Sequence, residues 1–449
     1  METKVAGNPL QVIAIGFAAV ILIGTFLLTL PISAKGRHTV GPADALFTAT
    51  SAVCVTGLVV RDTVNTYSLF GQIVILCLIQ VGGLGFMTFA TMLYRMLGVQ
   101  MTLRERQVVQ ESFNEEGPRR LKHLLRWVLL FTFTVELIGM LLLFPRFSAR
   151  FGIARGTFYA AFHSVSAFCN AGFDLFGGGR SLTGFRGDVY VNFVIMALVV
   201  VGGLGFAVEG DLFLRWRRGR RHRLSLQTKV VLVSYFTLMA LCFLFNAAAE
   251  WNNPDTLGSL PVGEKLLAAL FQSVTLRTAG FNTIDQAALL PATKLVNCFF
   301  MLVGAAPAST GGGIKVTTVA LIAMLVNSVA HGRDRIVVDH RTVDRALVQR
   351  AVVIVTLALG IALADIVCIS LLQPDMDIMD IAYECFSAIG TVGISAAGTA
   401  NMGRVSRALI IVTMYAGRIG PVSLAQVLAR RQVTGDPKVE YPTDRFMIG

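Results

Sequence analysis

Eight stretches of this sequence are apolar for long enough to cross a lipid bilayer, near 10–30, 68–97, 123–145, 189–215, 229–249, 293–330, 348–373 and 405–430. Crossing the ~30 Å hydrocarbon core takes about 20 helical residues. Inside lipid every backbone amide must find its partner within the chain, so such a segment is committed to helix. The sequence therefore reads as an all-α polytopic membrane protein. Composition agrees where it bears on the point: 15% of the 449 residues are charged, against about 25% in soluble domains. The first apolar run, Leu10 to Leu30, has a charged start but is long for a signal-peptide core and lacks a small-residue cleavage site. It is read as the first membrane helix.

Basic residues orient the chain. The connection after the second span carries Arg104, Arg106, Arg119, Arg120 and Lys122, and the one after the fourth carries Arg215, Arg217, Arg218, Arg220, Arg221 and Arg223. Arg333, Arg335, Arg341 and Arg345 follow the sixth span, and Arg430, Arg431, Lys438 and Arg445 lie in the tail. The opposite side is thinner in Lys and Arg, with 146–188 as a local exception. The positive-inside rule then places both termini and the strongly basic loops in the cytoplasm of a multi-pass plasma-membrane protein. The net charge of +12 is accounted for by topology, with no nucleic-acid partner. The seven cysteines sit singly in apolar contexts and read as small buried residues, and the histidines are too scattered for a metal site. No nucleophile–base pairing stands out, so an enzyme is not expected.

Between the two spans of each pair lies a shorter apolar stretch, at 42–58, 156–173, 264–281 and 379–394, which enters the membrane from outside and returns. These stretches share an ending. The first closes on Val53-Cys54-Val55-Thr56-Gly57 and the second on Phe168-Cys169-Asn170-Ala171-Gly172. The third closes on Leu276-Arg277-Thr278-Ala279-Gly280 and the fourth on Ile389-Gly390-Thr391-Val392-Gly393. Each reads as a short helix opened by Phe (Phe47, Phe162, Phe271, Phe386) that runs into x-x-Gly and an apolar residue. Glycine readily takes positive φ and lets carbonyls turn to a common axis. Rings of backbone carbonyls that replace a hydration shell are the chemistry of potassium filters. The expectation is four M1–pore loop–M2 repeats, eight transmembrane helices and four re-entrant pore helices, around one pseudo-four-fold pore with K⁺ at the filter carbonyls. The repeats are placed at 9–100, 123–218, 228–332 and 348–431, with 432–449 a cytoplasmic tail.

A second glycine-rich step recurs inside the second spans. It reads Val81-Gly82-Gly83-Leu84-Gly85-Phe86, then Val201-Gly202-Gly203-Leu204-Gly205-Phe206, and Gly417-Arg418-Ile419-Gly420-Pro421 in the fourth. In the first two, close helix packing by small residues is the expected role. The third differs in kind: Gly304-Ala305-Ala306-Pro307-Ala308-Ser309-Thr310-Gly311-Gly312-Gly313 cannot continue a helix well. It must break the sixth span level with the pore axis.

These four loops, the 304–315 stretch and the Tyr415–Pro421 stretch resemble the Trk/Ktr/HKT superfamily of potassium transporters, within it the Ktr membrane subunits, over nearly the whole chain. The resemblance implies a potassium uptake pore whose broken sixth span is an intramembrane gating loop. It implies a homodimer controlled by a cytosolic ring of RCK subunits that binds ATP or ADP, and an activity promoted by Na⁺. K⁺ is the transported ion, and no organic cofactor belongs to this chain. One departure is Pro307 with Ala305 and Ala306, where the family loop is richer in Gly and Ser; that stiffens the gate.

Ionisable groups in spans are costly and invite a functional reading. Arg418 reads as a tether for the carbonyls freed by the break, against a counter-ion for a nearby acid. Lys315, below the break, reads as a positive barrier to cations or as a side chain that snorkels to the interface. Glu136, Glu209 and Asp365 are expected to pair with basic residues or backbone donors. His163, Gln272 and Glu384 are expected to brace the pore loops, and Arg277 to clamp filter carbonyls. In the tail, Phe446, Met447 and Ile448 are expected to dock at a cytoplasmic subunit interface, and the basic loops to face the regulatory ring or anionic lipid. The rival function is a secondary cation symporter with a midplane site at broken helices. Such carriers usually show two inverted halves, whereas the repeats here run in one direction.

Overall fold

The apolar stretches fold as helices of two lengths, and the order in which the lengths alternate positions the site. The computed structural model describes residues 9–36, 39–85, 118–219, 223–333, 335–338 and 341–421. In chain order, leaving aside single turns such as Thr63–Thr66, the helices are α1 (Pro9–Thr29), α2 (Pro42–Val53), α3 (Leu69–Leu84), α4 (Pro118–Phe151), α5 (Ile153–Phe168), α6 (Val189–Leu204) and α7 (Phe206–Arg218). They continue as α8 (Leu226–Glu250), α9 (Val262–Thr275), α10 (Pro291–Leu302), α11 (Val316–Ala330), α12 (Arg345–Leu372), α13 (Ile378–Gly390) and α14 (Arg404–Ile419). Among the described residues α1, α4, α8 and α12 are long and apolar enough to cross a membrane, and the bent pair α6–α7 is a fifth. Their outward faces are apolar, with Leu22, Phe26, Leu141, Leu244 and Leu371 exposed. In water such belts would be an aggregation hazard; against acyl chains they are at rest.

Of the remaining expected spans, the fourth and sixth are interrupted, while the second and eighth are described only as far as residues 85 and 421. α3 ends at Gly85, α6 at Gly205 and α14 at Gly420, each with positive φ, and α6 and α7 meet at 102°. Stretch 303–315 separates α10 from α11 without helix. The close-packing role expected of the GGLG steps holds for their paired glycines: a Cβ on Gly83 would collide with the Cys169 side chain and one on Gly203 with the Tyr235 hydroxyl. A Cβ on Gly82 would collide with the Val53 carbonyl, one on Gly202 with that of Phe168, and one on Gly417 with that of Ile389. The last glycine of each step instead turns the chain, because φ near +80° to +96° is open to glycine at little cost.

The half-length helices α2, α5, α9 and α13 sit inside. Each long helix packs on the half-length helix that follows it, α1 on α2, α4 on α5, α8 on α9 and α12 on α13. Each second helix then packs on the next half-length helix: α3 on α5, α6 on α9, α10 on α13, and α14 back on α2. That last contact closes the ring. Polar contacts pin the outer side of every junction. Asp62 accepts from the Gly178 amide; Arg186 meets Glu264 at 3.5 Å; Lys294 donates to Asp380 at 2.6 Å; and Arg407 donates to Asp44 at 3.3 Å.

Two sequence expectations change. The half-length helices do not open on Phe: Phe47, Phe162 and Phe271 lie within them, and the matching residue of α13 is Tyr383, not Phe386. Two of the starts are instead set by Pro42 at the first turn of α2 and by the Asp377 cap of α13 on the amides of Met379 and Asp380. Two cysteines, Cys77 and Cys368, are exposed on apolar helix faces, while Cys54, Cys169, Cys242, Cys298 and Cys385 are buried. The basic cluster at 104–106, Arg220 and Arg221, the far ends of the second and eighth spans and of the first and fourth repeats (86–100 and 422–431, with Arg430 and Arg431), and the tail at 432–449 lie outside the described residues.

Candidate ion pathway

Each half-length helix runs directly into a loop with the same backbone signature. Gly57, Gly172, Gly280 and Gly393 have φ of +95°, +69°, +79° and +90°. Two residues earlier, Val55, Asn170, Thr278 and Thr391 also have positive φ, +55°, +59°, +67° and +51°. For a side-chain-bearing residue that conformation costs of order 1–3 kcal/mol and persists only where surroundings over-determine it. Here they do. The amides of Thr56, Ala171 and Val392 reach back to the carbonyls of Ser51, Ser166 and Ser387 at 2.8, 2.7 and 2.8 Å. The third loop is one residue tighter, with the Ala279 amide on the Thr275 carbonyl at 2.9 Å. Hydroxyls on the same helix ends complete the hold. Those of Ser51 and Ser387 accept from the amides of Gly57 and Gly393 at 3.1 and 3.0 Å. Those of Ser166 and Thr275 donate to the carbonyls of Phe173 and Phe281 at 2.7 and 2.5 Å.

The four loops meet. A Cβ added to Gly57 would lie 2.6 Å from the Ala171 carbonyl oxygen, and one on Gly172 would lie 2.7 Å from the Cα of Gly280. One on Gly280 would stand 2.9 Å from the Val392 carbonyl oxygen, and one on Gly393 would overlap that of Thr56. All four glycines line one cavity of 460 Å³, with Arg61, Asp62, Asp174, Ser395 and Thr399 around its outer part. The C-terminal ends of α2, α5, α9 and α13 abut these loops. A helix C-terminus carries partial negative charge, so the arrangement favours a cation at the centre.

Behind each loop one position of the half-length helix grips the segment that returns from it. In α2 the Thr48 hydroxyl accepts from Tyr67 at 3.0 Å. In α5 His163 donates through Nδ1 to the Tyr159 carbonyl at 2.7 Å and accepts the Leu175 amide on Nε2 at 3.3 Å. In α9 Gln272 and Gln286 exchange amide bonds at 2.8 and 3.1 Å. In α13 Glu384 accepts from Ser395 at 2.5 Å and from Thr399. Bracing was expected of His163, Gln272 and Glu384; Thr48 was missed, since its partner Tyr67 lies beyond the loop and nothing local marks the pair.

Against the loops lies the break between α10 and α11. Its two ends are zipped, with the Gly304 amide on the Ile314 carbonyl at 2.8 Å. The Ala306 amide donates to Gly203 at 3.0 Å, Thr310 donates through its hydroxyl to Phe168 and Gly202 at 3.0 Å each, and the Ala308 carbonyl accepts the Phe206 amide at 2.9 Å. A Cβ on Gly311 would collide with Thr278 and one on Gly312 with Thr391, so Gly311 and Gly312 lie directly against the third and fourth loops. Arg418 donates through Nη1 to the Thr310 carbonyl at 2.6 Å and through Nη2 to the Gly82 carbonyl. It thus joins the break to α3 and has no carboxylate partner among the described ion pairs. Lys315 turns back to the Gly311 carbonyl at 2.7 Å, so it neither snorkels nor projects freely. Arg277 was expected on filter carbonyls; it is fully buried and donates to Val303 at 2.6 Å, where α10 ends. The buried acids also differ from expectation. Glu136 meets the Cys169 thiol, Asp365 accepts from Thr413, and both Glu209 oxygens lack a partner among the described residues.

The family model for TrkH, described as a cation transport protein, matches residues 4–435 of this chain. The chain belongs to the TrkH cation transport family. Among its relatives is the Ktr system potassium uptake protein B of Vibrio alginolyticus, 38% identical over 99% of this chain and 96% of the relative. The protein of the same name from Bacillus subtilis is 38% identical over 98% and 97%. The potassium/sodium uptake protein NtpJ of Enterococcus hirae is 35% identical over 98% and 97%. The crystal structure of the potassium transporter TrkH from Vibrio parahaemolyticus shares the fold at a TM-score of 0.72 and 18% identity, over 95% of this chain and 86% of that one.

Proposed function

We propose that this TrkH-family chain is the membrane subunit of a potassium uptake system, built as four M1–pore loop–M2 repeats around one pore. The observation that carries the reading is the convergence of Gly57, Gly172, Gly280 and Gly393 on one cavity, each at positive φ and each against the backbone of another loop. An ion arriving from outside sheds water and takes the carbonyls of Thr56, Ala171, Ala279 and Val392 in its place. Helix C-termini lower its energy there. The break at 304–313 acts as the gate, held across the path by Arg418, and the ion passes when that hold is released. The relatives' names support K⁺ as the cargo and, through the potassium/sodium relative, an effect of Na⁺. In the cell the subunit works as a homodimer with both termini cytoplasmic, under a nucleotide-binding RCK ring.

The test is ion selectivity in proteoliposomes. The parent should carry K⁺ in preference to Na⁺, and Gly57→Ser should reduce that preference, because a Cβ at φ +95° strains the loop and crowds the Ala171 carbonyl. Unchanged relative permeability in the variant would remove Gly57 from the filter. Single-channel currents, as opposed to saturable coupled flux, separate a pore from a symporter.

A further inference from the structure

Arg277 is part of the third filter loop by position, but its side chain serves another element. The chain leaves α9 at Thr275, passes Leu276 and Arg277, and reaches Gly280 three residues later. The Arg277 side chain is fully buried and lies over the Phe300 ring, 5.8 Å from its centroid. Its Nη1 donates to the Val303 carbonyl at 2.6 Å. Val303 is the residue on which α10 stops, and the Val303–Ile314 bridge closes the neck of the break. Nε and Nη2 find no acceptor among the described residues, and no carboxylate pairs with the group. A buried cation with one good bond is an expensive way to fill space, because an apolar side chain of similar size packs there without desolvation cost. The bond to Val303 is therefore the feature that accounts for an arginine here.

The backbone of the same residue faces the other way. Its carbonyl accepts Asn170 Nδ2 at 3.2 Å, and Asn170 holds the strained position of the second filter loop. The next residue, Thr278, holds the strained position of the third and abuts Gly311 at the apex of the break. Arg277 thus links two filter loops to the neck of the break, while Arg418 holds the apex from α14.

We infer that Arg277 is a positioning residue that couples the filter to the intramembrane gate: a shift of the 304–313 stretch pulls on Val303 and, through the guanidinium, on the backbone at Thr278 and Asn170. Selectivity then depends on the state of the gate, and the gate is biased by the filter. This rests on the filter and gate reading proposed above.

The test compares Arg277→Gln in two backgrounds, the full chain and the chain lacking 306–311, reconstituted in proteoliposomes. In the full chain the substitution should lower the K⁺/Na⁺ permeability ratio and raise basal Rb⁺ flux, each by about tenfold, the worth of one charge-assisted bond. In the deleted background the same substitution should change basal flux less than twofold, because the coupled element is gone. Arg277→Lys, which keeps one donor, should recover part of the full-chain effect. Should Arg277→Gln fail to insert, Arg277→Lys and Phe300→Leu carry the same two-background comparison. Equal effects in both backgrounds would overturn the coupling and leave Arg277 as a local support of its loop. A parent without K⁺ preference overturns the functional reading instead, so the two failures are distinguishable.

Discussion

The second helices of the four units break at corresponding steps but by two different means. α3, α6 and α14 stop on one glycine each, Gly85, Gly205 and Gly420, whereas the third unit gives up helix throughout 303–315. A single glycine at positive φ changes the direction of the chain and strands few amides. A long break frees many, and buried backbone groups must be satisfied somewhere. Here they are satisfied by Gly202, Gly203, Phe206 and Arg418, which belong to other units. The break at Gly205 is a bend of 102°; the long one is a cross-link, and the groups that satisfy it are also what can release it.

That contrast can be broken most strongly by removing the cross-link. Deletion of 306–311 removes the Arg418 contact at Thr310 and the contacts to Gly202 and Gly203. Basal Rb⁺ flux in proteoliposomes should rise by roughly a hundredfold, which corresponds to a net loss of about 3 kcal/mol from the contacts removed. A deletion that inserts normally yet conducts less than the parent rules out a gate at this break. Arg418→Ala should act in the same direction by about tenfold. Arg418→Lys should restore less than half of the lost control, because one ammonium cannot span Thr310 and Gly82 as a planar fork does. Flux assays on the two variants decide the point; equal fluxes would mean that charge alone matters.

Smaller effects sharpen the comparison between the single glycines. Gly205→Ala puts a Cβ into the Pro307 carbonyl, so it should both strain the turn and push the break, raising basal flux a few-fold. Gly85→Ala meets nothing within 4 Å among the described residues and should cost only the backbone strain, about 1 kcal/mol, seen as a lower detergent-solubilised melting temperature with flux unchanged. If the two variants conduct alike, the contact between Gly205 and Pro307 has no part in holding the loop.

The turns at Gly57, Gly172, Gly280 and Gly393 were legible because positive φ leaves its mark on residue type: only glycine takes it cheaply, so the same demand wrote the same residue four times. The positions two residues earlier left no such mark. Val55, Asn170, Thr278 and Thr391 share the strained φ but no chemistry, since their conformation is imposed by bonds from Ser51, Ser166, Thr275 and Ser387. The bracing position was hidden for the same reason, filled by Thr48, His163, Gln272 and Glu384, whose common property is a partner beyond the loop. Arg277 was misassigned because sequence proximity pointed at its own loop, while the open acceptor lay at the end of α10.

The sequence by itself marked the apolar stretches that become helix and the glycines at which the four short ones turn, because lipid and steric exclusion act on residues locally, but it did not mark the turns at Gly85, Gly205 and Gly420. It also determined that the stretch at 304–313 could not be helix. Only the tertiary structure decided that α14 closes the ring on α2, that the four glycines share one cavity, and which carbonyls Arg277, Lys315 and Arg418 take. A guanidinium or an ammonium binds any exposed carbonyl equally well in principle, so its partner is set by which helix end packing brings within 3 Å.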